Sequence, residues 1–321
     1  MSTAARIGVM LPRNISSAQL LPFAQRAEQL GFDQVWVVED LAFRGGIAQA
    51  AAVLASTTSI RVGVGILPAA ARTAAFTAME AATLAQLYPG RLDLGVGHGM
   101  PAWMQALGVW PTTPLTFLSE YVDEVATLLR GAGVPHATDP DAPLTSLDPS
   151  AVPEVAPSIL LGVRGPRSLA VSGQKADGTI LAEPSTPEYI HAALGAIDAD
   201  GPHRLVAYNI AAVDDDPAIA CAAARPGLQW VAEPDAAPHL DPVDISDEVR
   251  ALRAACASRD EFVSRLPDSW VARLALVGTP AQVRARLDEL DAAGATDHVL
   301  IPVGGDPLGA LPSLARVLPP R

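Results

Sequence analysis

The chain has 321 residues, half of them apolar and only 18% charged, which excludes a disordered or solvating polypeptide. Acidic residues outnumber basic ones, 35 against 22, and the net charge of −13 argues against nucleic acid or an anionic membrane surface as a partner. Cys221 and Cys256 form no CxxC, zinc or disulfide framework, as expected in a reducing cytoplasm.

An apolar strand at 6–11 (RIGVML) opens the chain without the basic region and long apolar core of a secretion signal. No run is apolar enough for a membrane span, so a cytoplasmic location is expected. Ser16 or Ser17 can cap a helix running to Leu30, and Gly31 supplies its C-cap. Strands are predicted at 34–38 and 60–67, helices at 47–57 and 73–88, with Pro89-Gly90 as a stop. A fourth strand covers 91–96 and a helix 115–130.

Residues 131–157 break this rhythm, because Pro135, Pro140, Pro143, Pro149, Pro153 and Pro157 oppose regular structure. An irregular excursion of that length is a lid or a linker, and its place after the fourth strand's helix predicts a lid over the substrate side. Strands resume at 158–163, 178–181 and 205–213, with helices at 166–175 and 187–199. The acidic stretch 214–270 reads as an insertion with helices at 217–224 and 247–257, its 214–248 part a solvated surface. Thr279-Pro280 begins a helix to Ala293, and 298–303 is the eighth strand. Alternating strands and helices predict an α/β fold, a single (β/α)8 TIM barrel over 1–321. An open doubly wound sheet is the alternative, since periodicity does not fix closure.

Such a barrel carries its chemistry on the loops at the strand carboxyl ends. Glu39 and Asp40 follow the second strand and form a candidate acid–base pair, one raising the other's pKa, or a simple helix cap. His98, between Gly97 and Gly99, can donate to a ring or a developing anion, or can bond only to backbone. Met100 and Trp103 are candidates for the substrate pocket, and Trp110 for a further wall. After the fifth strand, Val163-Arg164-Gly165-Pro166 leads straight into a helix whose free N–H groups suit a phosphate, with Arg167 nearby. Glu183 follows the sixth strand. No spacing suggests a metal site.

In this order the segments LGFDQVWVVED (30–40), IRVGVGILPA (60–69), LYPGRLDLGVGHG (87–99), 158–181 and ALVGTPAQV (275–283) resemble the luciferase-like monooxygenase superfamily. The similarity is greatest to its coenzyme F420-dependent reductase branch, which includes methylenetetrahydromethanopterin reductase. The resemblance implies a cis peptide at Gly65-Ile66 behind the flavin or deazaflavin ring, with Gly97, His98 and Gly99 along it. It further implies a phosphate held by Arg164 and Gly165 with Val163 and Pro166 as the supporting turn, Glu183 grouped with the cofactor residues, and a homodimer. Glu39-Asp40 replaces the family's Asp-His pair, and Met100 stands where its dehydrogenases carry a glutamate, so their sugar-phosphate oxidation is not expected.

The expected activity is F420-dependent hydride transfer to a small organic substrate, with Glu39, Asp40 or His98 managing the proton. Arg13, Arg44 and Arg72 are candidates for the F420 polyglutamate tail. Two alternatives stand beside it: an FMN-dependent monooxygenase served by a separate flavin reductase, and a flavin-binding barrel without turnover.

Overall fold

A computed structural model describes residues 5–136, 139 and 141–319. Pro140, one of the prolines cited above, lies outside the described residues. Nine strands form: β1 (Arg6–Met10), β2 (Gln34–Val37), β3 (Arg61–Pro68), β4 (Leu92–Gly97), β5 (Ser158–Gly162), β6 (Gly178–Leu181), β7 (Arg204–Val213), β8 (Leu276–Gly278) and β9 (Asp297–Pro302). Each pairs in parallel with its neighbours in the order β6-β5-β4-β3-β2-β1-β9-β7, and β7 returns to β6. The sheet is therefore a closed eight-stranded barrel, and the open alternative is excluded. β8 is an addition that pairs only with Ala211, Ala212 and Val213 at the far end of β7. Its three residues are too few for a periodicity to reveal.

Apart from α4, the helices follow the predicted rhythm with shifts of a residue or two: α1 (Ser17–Leu30), α2 (Gly46–Ser56), α3 (Ala74–Leu87), α4 (Pro101–Ala106), α5 (Pro114–Leu129), α6 (Pro166–Lys175), α7 (Pro187–Ile197) and α8 (Pro217–Ala224). Gly31 closes α1 at φ 95°, a left-handed conformation that glycine adopts without Cβ strain. The helix Pro280–Ala293 starts with a full capping box between Thr279 and Gln282. α4 is an unpredicted short helix after β4. Lys175, at the last turn of α6, pairs with Asp123 of α5 at 2.8 Å, toward the end where the strands begin. Among the described residues no helix is long and apolar enough to cross a membrane.

Residues 131–157 do not form the expected lid. They join the C-terminal end of α5 to the start of β5, so they lie where the strands begin, not where they end. Gln86, at the C-terminal end of α3, donates to the carbonyls of Ser150 (2.8 Å) and Val152 (3.4 Å) and fixes the segment there. Leu147 and Val134 are buried against the same layer. Its described residues form only an isolated antiparallel bridge between Val134 and Thr145 and a 3-10 turn at Pro149–Ala151.

The 214–248 stretch also departs from its expectation as solvated surface. Its apolar residues, among them Leu228, Val231 and Leu240, join one buried cluster with Val249 and Phe262 farther along the insertion and with the barrel-interior residues Trp36, Leu160, Val206 and Tyr208. Helices at Ser246–Ala254, Arg259–Arg265 and Asp268–Leu274 carry the acidic residues on their outer faces. Charge marks the exposed side of these helices; the buried side is apolar.

The barrel interior is polar where the strands begin. Arg204 of β7 reaches Asp93 of β4 at 2.8 Å and Asp297 of β9 at 2.9 Å, and both aspartate side chains are fully buried. Arg61 completes the pairing of Asp93 (2.6 Å) and Arg6 that of Asp297 (2.8 Å). Burial alone would raise the Asp297 pKa, but Arg204, Thr296 and Arg6 outweigh it and hold the pKa below its ordinary value of 3.8. Asp297 therefore stabilises the fold fully above the unfolded-state pKa, and the contribution is lost as pH falls through the lower folded-state value. Arg204→Met should lower stability by about 3 kcal/mol, because it leaves two buried carboxylates with one arginine each. Asp297→Asn should flatten the acid-side loss of stability; urea denaturation midpoints at pH 7 and pH 3 measure both effects.

Candidate active site

At the carboxyl ends of the strands lies a cavity of about 1000 Å³. Its floor is set by β3. The Gly65–Ile66 peptide is cis, and the pairing of β3 with β4 shifts register between Val64 and Leu67. Ile66 is thereby turned over the neighbouring strand ends, which accept it only because they are glycines. A Cβ on Gly162 would lie 2.4 Å from Ile66 Cγ2, and one on Gly97 would lie 2.6 Å from the Gly162 carbonyl and 3.2 Å from Ile66 Cδ1. Below the bulge, Tyr208 of β7 sends its hydroxyl to within 2.3 Å of where a Gly65 Cβ would be. That hydroxyl is buried and has no hydrogen-bond partner.

Of the predicted residues, Glu39, Asp40, Gly65, Ile66, Gly99, Met100, Trp103, Val163, Arg164 and Glu183 all border this cavity. His98 does not. It borders an adjoining recess of about 290 Å³ with Trp110, Arg164, Arg167 and Ser168. Its Nε2 is 3.1 Å from Ser168 Oγ, and burial lowers its pKa, so the ring is neutral at pH 7. Gly97 is enclosed beneath Ile66, while Gly165 and Pro166 form the N-cap and first residue of α6.

The recess meets the amino end of α6. The first intrahelical bond runs from Leu169 N to Gly165 O at 2.9 Å, which leaves the amides of Arg167 and Ser168 free for an anion. Arg164 lines both spaces. It is positioned by its Nη1 donating to the Asp235 carbonyl at 2.7 Å and by Tyr189 Oη donating to its own carbonyl at 3.4 Å. Behind Tyr189 the buried His239 ring sits 4.3 Å away, its pKa driven to about 3 chiefly by burial. It is neutral and adds no charge to compete with the arginine.

The Glu39 carboxylate is committed elsewhere. Arg72 grips both of its oxygens, at 2.9 and 3.0 Å, and the Gly46 amide donates to Oε2 at 2.6 Å. This ties β2 to the start of α2 and to the loop before α3, so the expected proton-handling role is replaced by a positioning one. Asp40 pairs with Arg13 at 2.6 Å at the cavity rim. The three arginines expected to meet an anionic tail all have internal partners: Arg13 has Asp40, and Arg72 has Glu39. Arg44 donates to the carbonyls of Arg13 (3.1 Å) and Ile15 (2.8 Å). Short local partners satisfy them before any ligand arrives.

Sequence reasoning missed Tyr208, and it missed Trp230 and Gln229, which the 214–270 stretch brings to the cavity wall. A signal for the first was present: Tyr208-Asn209 is a polar pair in the middle of an otherwise apolar strand. Trp230 had no such signal. Arg259 stacks over its ring at 3.7 Å, a contact made only by the folded loop.

The luciferase-like monooxygenase family model matches residues 1–297. The 5,10-methylenetetrahydromethanopterin reductase of Methanolobus tindarius is 27% identical, over 89% of this chain and 90% of that protein. The F420-dependent glucose-6-phosphate dehydrogenase of Microbacterium testaceum is 29% identical, over 80% and 83%. Among solved structures, the coenzyme F420-dependent tetrahydromethanopterin reductase from Methanopyrus kandleri superposes with a TM-score of 0.79 over 98% of each chain, at 19% identity.

Because Ile66 fills the space that glycine leaves at 162, Gly162→Ala should push the isoleucine into the cavity. We expect a loss of about 1–3 kcal/mol in stability, the cost of overpacking, with the barrel intact. Thermal denaturation and a crystal structure of the variant test this; an undisplaced Ile66 would contradict it.

Proposed function

Since the chain belongs to the luciferase-like monooxygenase family, we propose that it is a coenzyme F420-dependent oxidoreductase acting on a small organic substrate. One observation carries the reading: an apolar-floored cavity and a cationic recess share Arg164 as their common wall. A ligand with a flat ring and an anionic side chain suits that pair of spaces. The relatives named as F420-dependent favour a deazaflavin over a flavin as that ligand.

The residues present fit such a group. Ile66, flanked by the glycine strand ends 97 and 162, offers a flat apolar support for a ring, and the unpartnered Tyr208 hydroxyl offers it or its reaction partner a donor. Arg164, with the free amides of Arg167 and Ser168, would hold a phosphate, and neutral His98 would orient Ser168 through their 3.1 Å contact. When bound, the reduced deazaflavin supplies a hydride. The chain's own task is to place the substrate against that carbon, keep competing water away and move the accompanying proton. Met100, Trp103 and Trp230 form the apolar wall for the substrate. Of the three side chains first marked for the proton, Glu39 is held by Arg72, His98 faces the recess, and Asp40 at the rim is paired with Arg13.

The homodimer implied by the resemblance would find an apolar face on α3, where Phe76, Met79 and Leu87 are exposed. Sedimentation of the wild type against Met79→Glu tests this.

Titrating the purified apoprotein with oxidised F420 and, separately, FMN should give binding to F420 alone. Arg164→Ser should weaken that binding by about tenfold or more, the scale of a lost charge-assisted hydrogen bond, with an unchanged melting temperature. Preference for FMN would turn the reading toward oxygen chemistry with a partner reductase.

A further inference from the structure

Two polar groups in the cavity have no stated role in the proton transfer above. Glu183 follows β6, on a loop fixed to β7: Asn209 Oδ1 accepts from Ser185 N at 2.9 Å, and Asn209 Nδ2 donates to Ser185 O at 3.1 Å. Glu183 is exposed and borders the cavity, its carboxyl accepts from its own backbone amide, and among the described residues no other side chain forms an ion pair or hydrogen bond with it. Tyr208, on the adjacent strand, is 4% exposed, and its unpartnered hydroxyl borders the same cavity beneath Gly65. Ile66, Ile180, Ile210 and Ile301 make up much of the surrounding lining. A buried polar group left without a partner is costly, so the Tyr208 hydroxyl, with the Glu183 carboxyl open to the same cavity, marks a place where a ligand's polar atom belongs.

Burial pushes the Glu183 pKa up; Arg164 and Arg13 oppose the shift, and Asp40 adds to it. Burial and the neighbouring Glu183 together push the Tyr208 pKa well above its ordinary value. Tyr208 therefore keeps its proton, and Glu183 holds its own to higher pH than an ordinary carboxyl does.

We propose that Glu183 is the general acid of this enzyme and that Tyr208 is the hydrogen-bond donor to the same substrate atom, the substrate being a conjugated carbonyl compound or an imine. This rests on the hydride-transfer reading above. As a hydride adds to the electrophilic carbon with its two electrons, the π pair of the double bond moves onto the oxygen or nitrogen. Tyr208 stabilises the charge developing there, and the Glu183 O–H bond breaks to deliver the proton. The substrate gains one hydride and one proton, the deazaflavin is oxidised by two electrons, and Glu183 is left as a carboxylate. Arg164 and Arg13 steady that carboxylate until solvent in the cavity reprotonates it.

The test uses the full chain and the variants Glu183→Gln and Tyr208→Phe. Infrared titration of apoprotein carrying isotope-labelled glutamate should show one carboxyl that stays protonated above the ordinary range, present in wild type and absent from Glu183→Gln. F420 affinity, read by fluorescence, should be the same in wild type and Glu183→Gln. With reduced F420 and cyclohexenone as the acceptor, each variant should lower the rate by on the order of 10²-fold, as for loss of a general acid or an oxyanion donor. The wild-type rate should fall as pH rises through the Glu183 pKa, and Glu183→Gln alone should lose that limb. A Glu183 that titrates in the ordinary carboxylate range overturns the proposal, as do variant rates equal to wild type. Loss of F420 binding in Glu183→Gln also overturns it, since the residue would then be a cofactor ligand. Failure of wild type to bind F420 defeats the functional reading instead, while the infrared titration still reports the state of the carboxyl.

Discussion

A single column of side chains along the barrel axis connects the end that holds the fold together to the end that holds the cavity. Asp297, fixed by Arg204 and Arg6, accepts from Gln34 Nε2 at 2.7 Å, and Gln34 Oε1 accepts from Trp36 Nε1 at 2.9 Å. The Trp36 ring meets Tyr208 edge to face with centroids 5.7 Å apart, and Tyr208 ends beneath Gly65. The Asp297 carboxylate, the Gln34 amide and the Trp36 indole N–H are all paired within the column. Above them the tyrosine hydroxyl is buried without a partner. The column therefore commits its hydrogen bonds to rigidity below and leaves an unused donor beneath the bulge.

Room for the column comes from glycine. A Cβ on Gly63 would lie 2.3 Å from the Trp36 ring, and one on Gly95 would lie 2.7 Å from Ile180. Together with residues 65, 97 and 162, these form a small-against-large pattern on β3, β4 and β5. Close-packed interiors require such pairing, because a barrel of fixed radius cannot hold a bulky residue at every inward position. The glycines of this chain's strand ends are consequently packing residues first; the approach of a ligand uses space that packing has already defined.

The eight strands were legible because each is a short apolar run bounded by turn residues; their number and rhythm favoured a barrel, and the return of β7 to β6 decides closure. The grouping of strand-end residues around one cavity was legible for the same reason: topology alone puts them there. Roles were less legible. Nothing in the pair Glu39-Asp40 distinguishes a carboxylate gripped by a distant arginine from a free one, since Arg72 lies 33 positions away. His98 looked like a ring contact because of its glycines, but those glycines let the chain turn it toward α6. For 131–157 and 214–270, composition reports exposure and irregularity but not which end of the barrel a connection occupies. That is fixed by chain direction: an αβ connection returns to where strands begin, and a βα connection leaves where they end. The lid expectation for 131–157 overlooked this rule, while 214–270, which follows a strand, supplies Gln229 and Trp230 to the cavity wall.

Lys175 is the only lysine in the sequence, and it closes α6 toward the end where the strands begin. Its ammonium pairs with Asp123 across the α5–α6 groove and is still partly accessible to solvent. Amine-directed coupling, apart from any at the α-amino group, is thereby confined to one side of the molecule. A bead, electrode or fluorophore attached through Lys175 would leave the cavity mouth facing solution, so this barrel can be immobilised in one orientation without engineering.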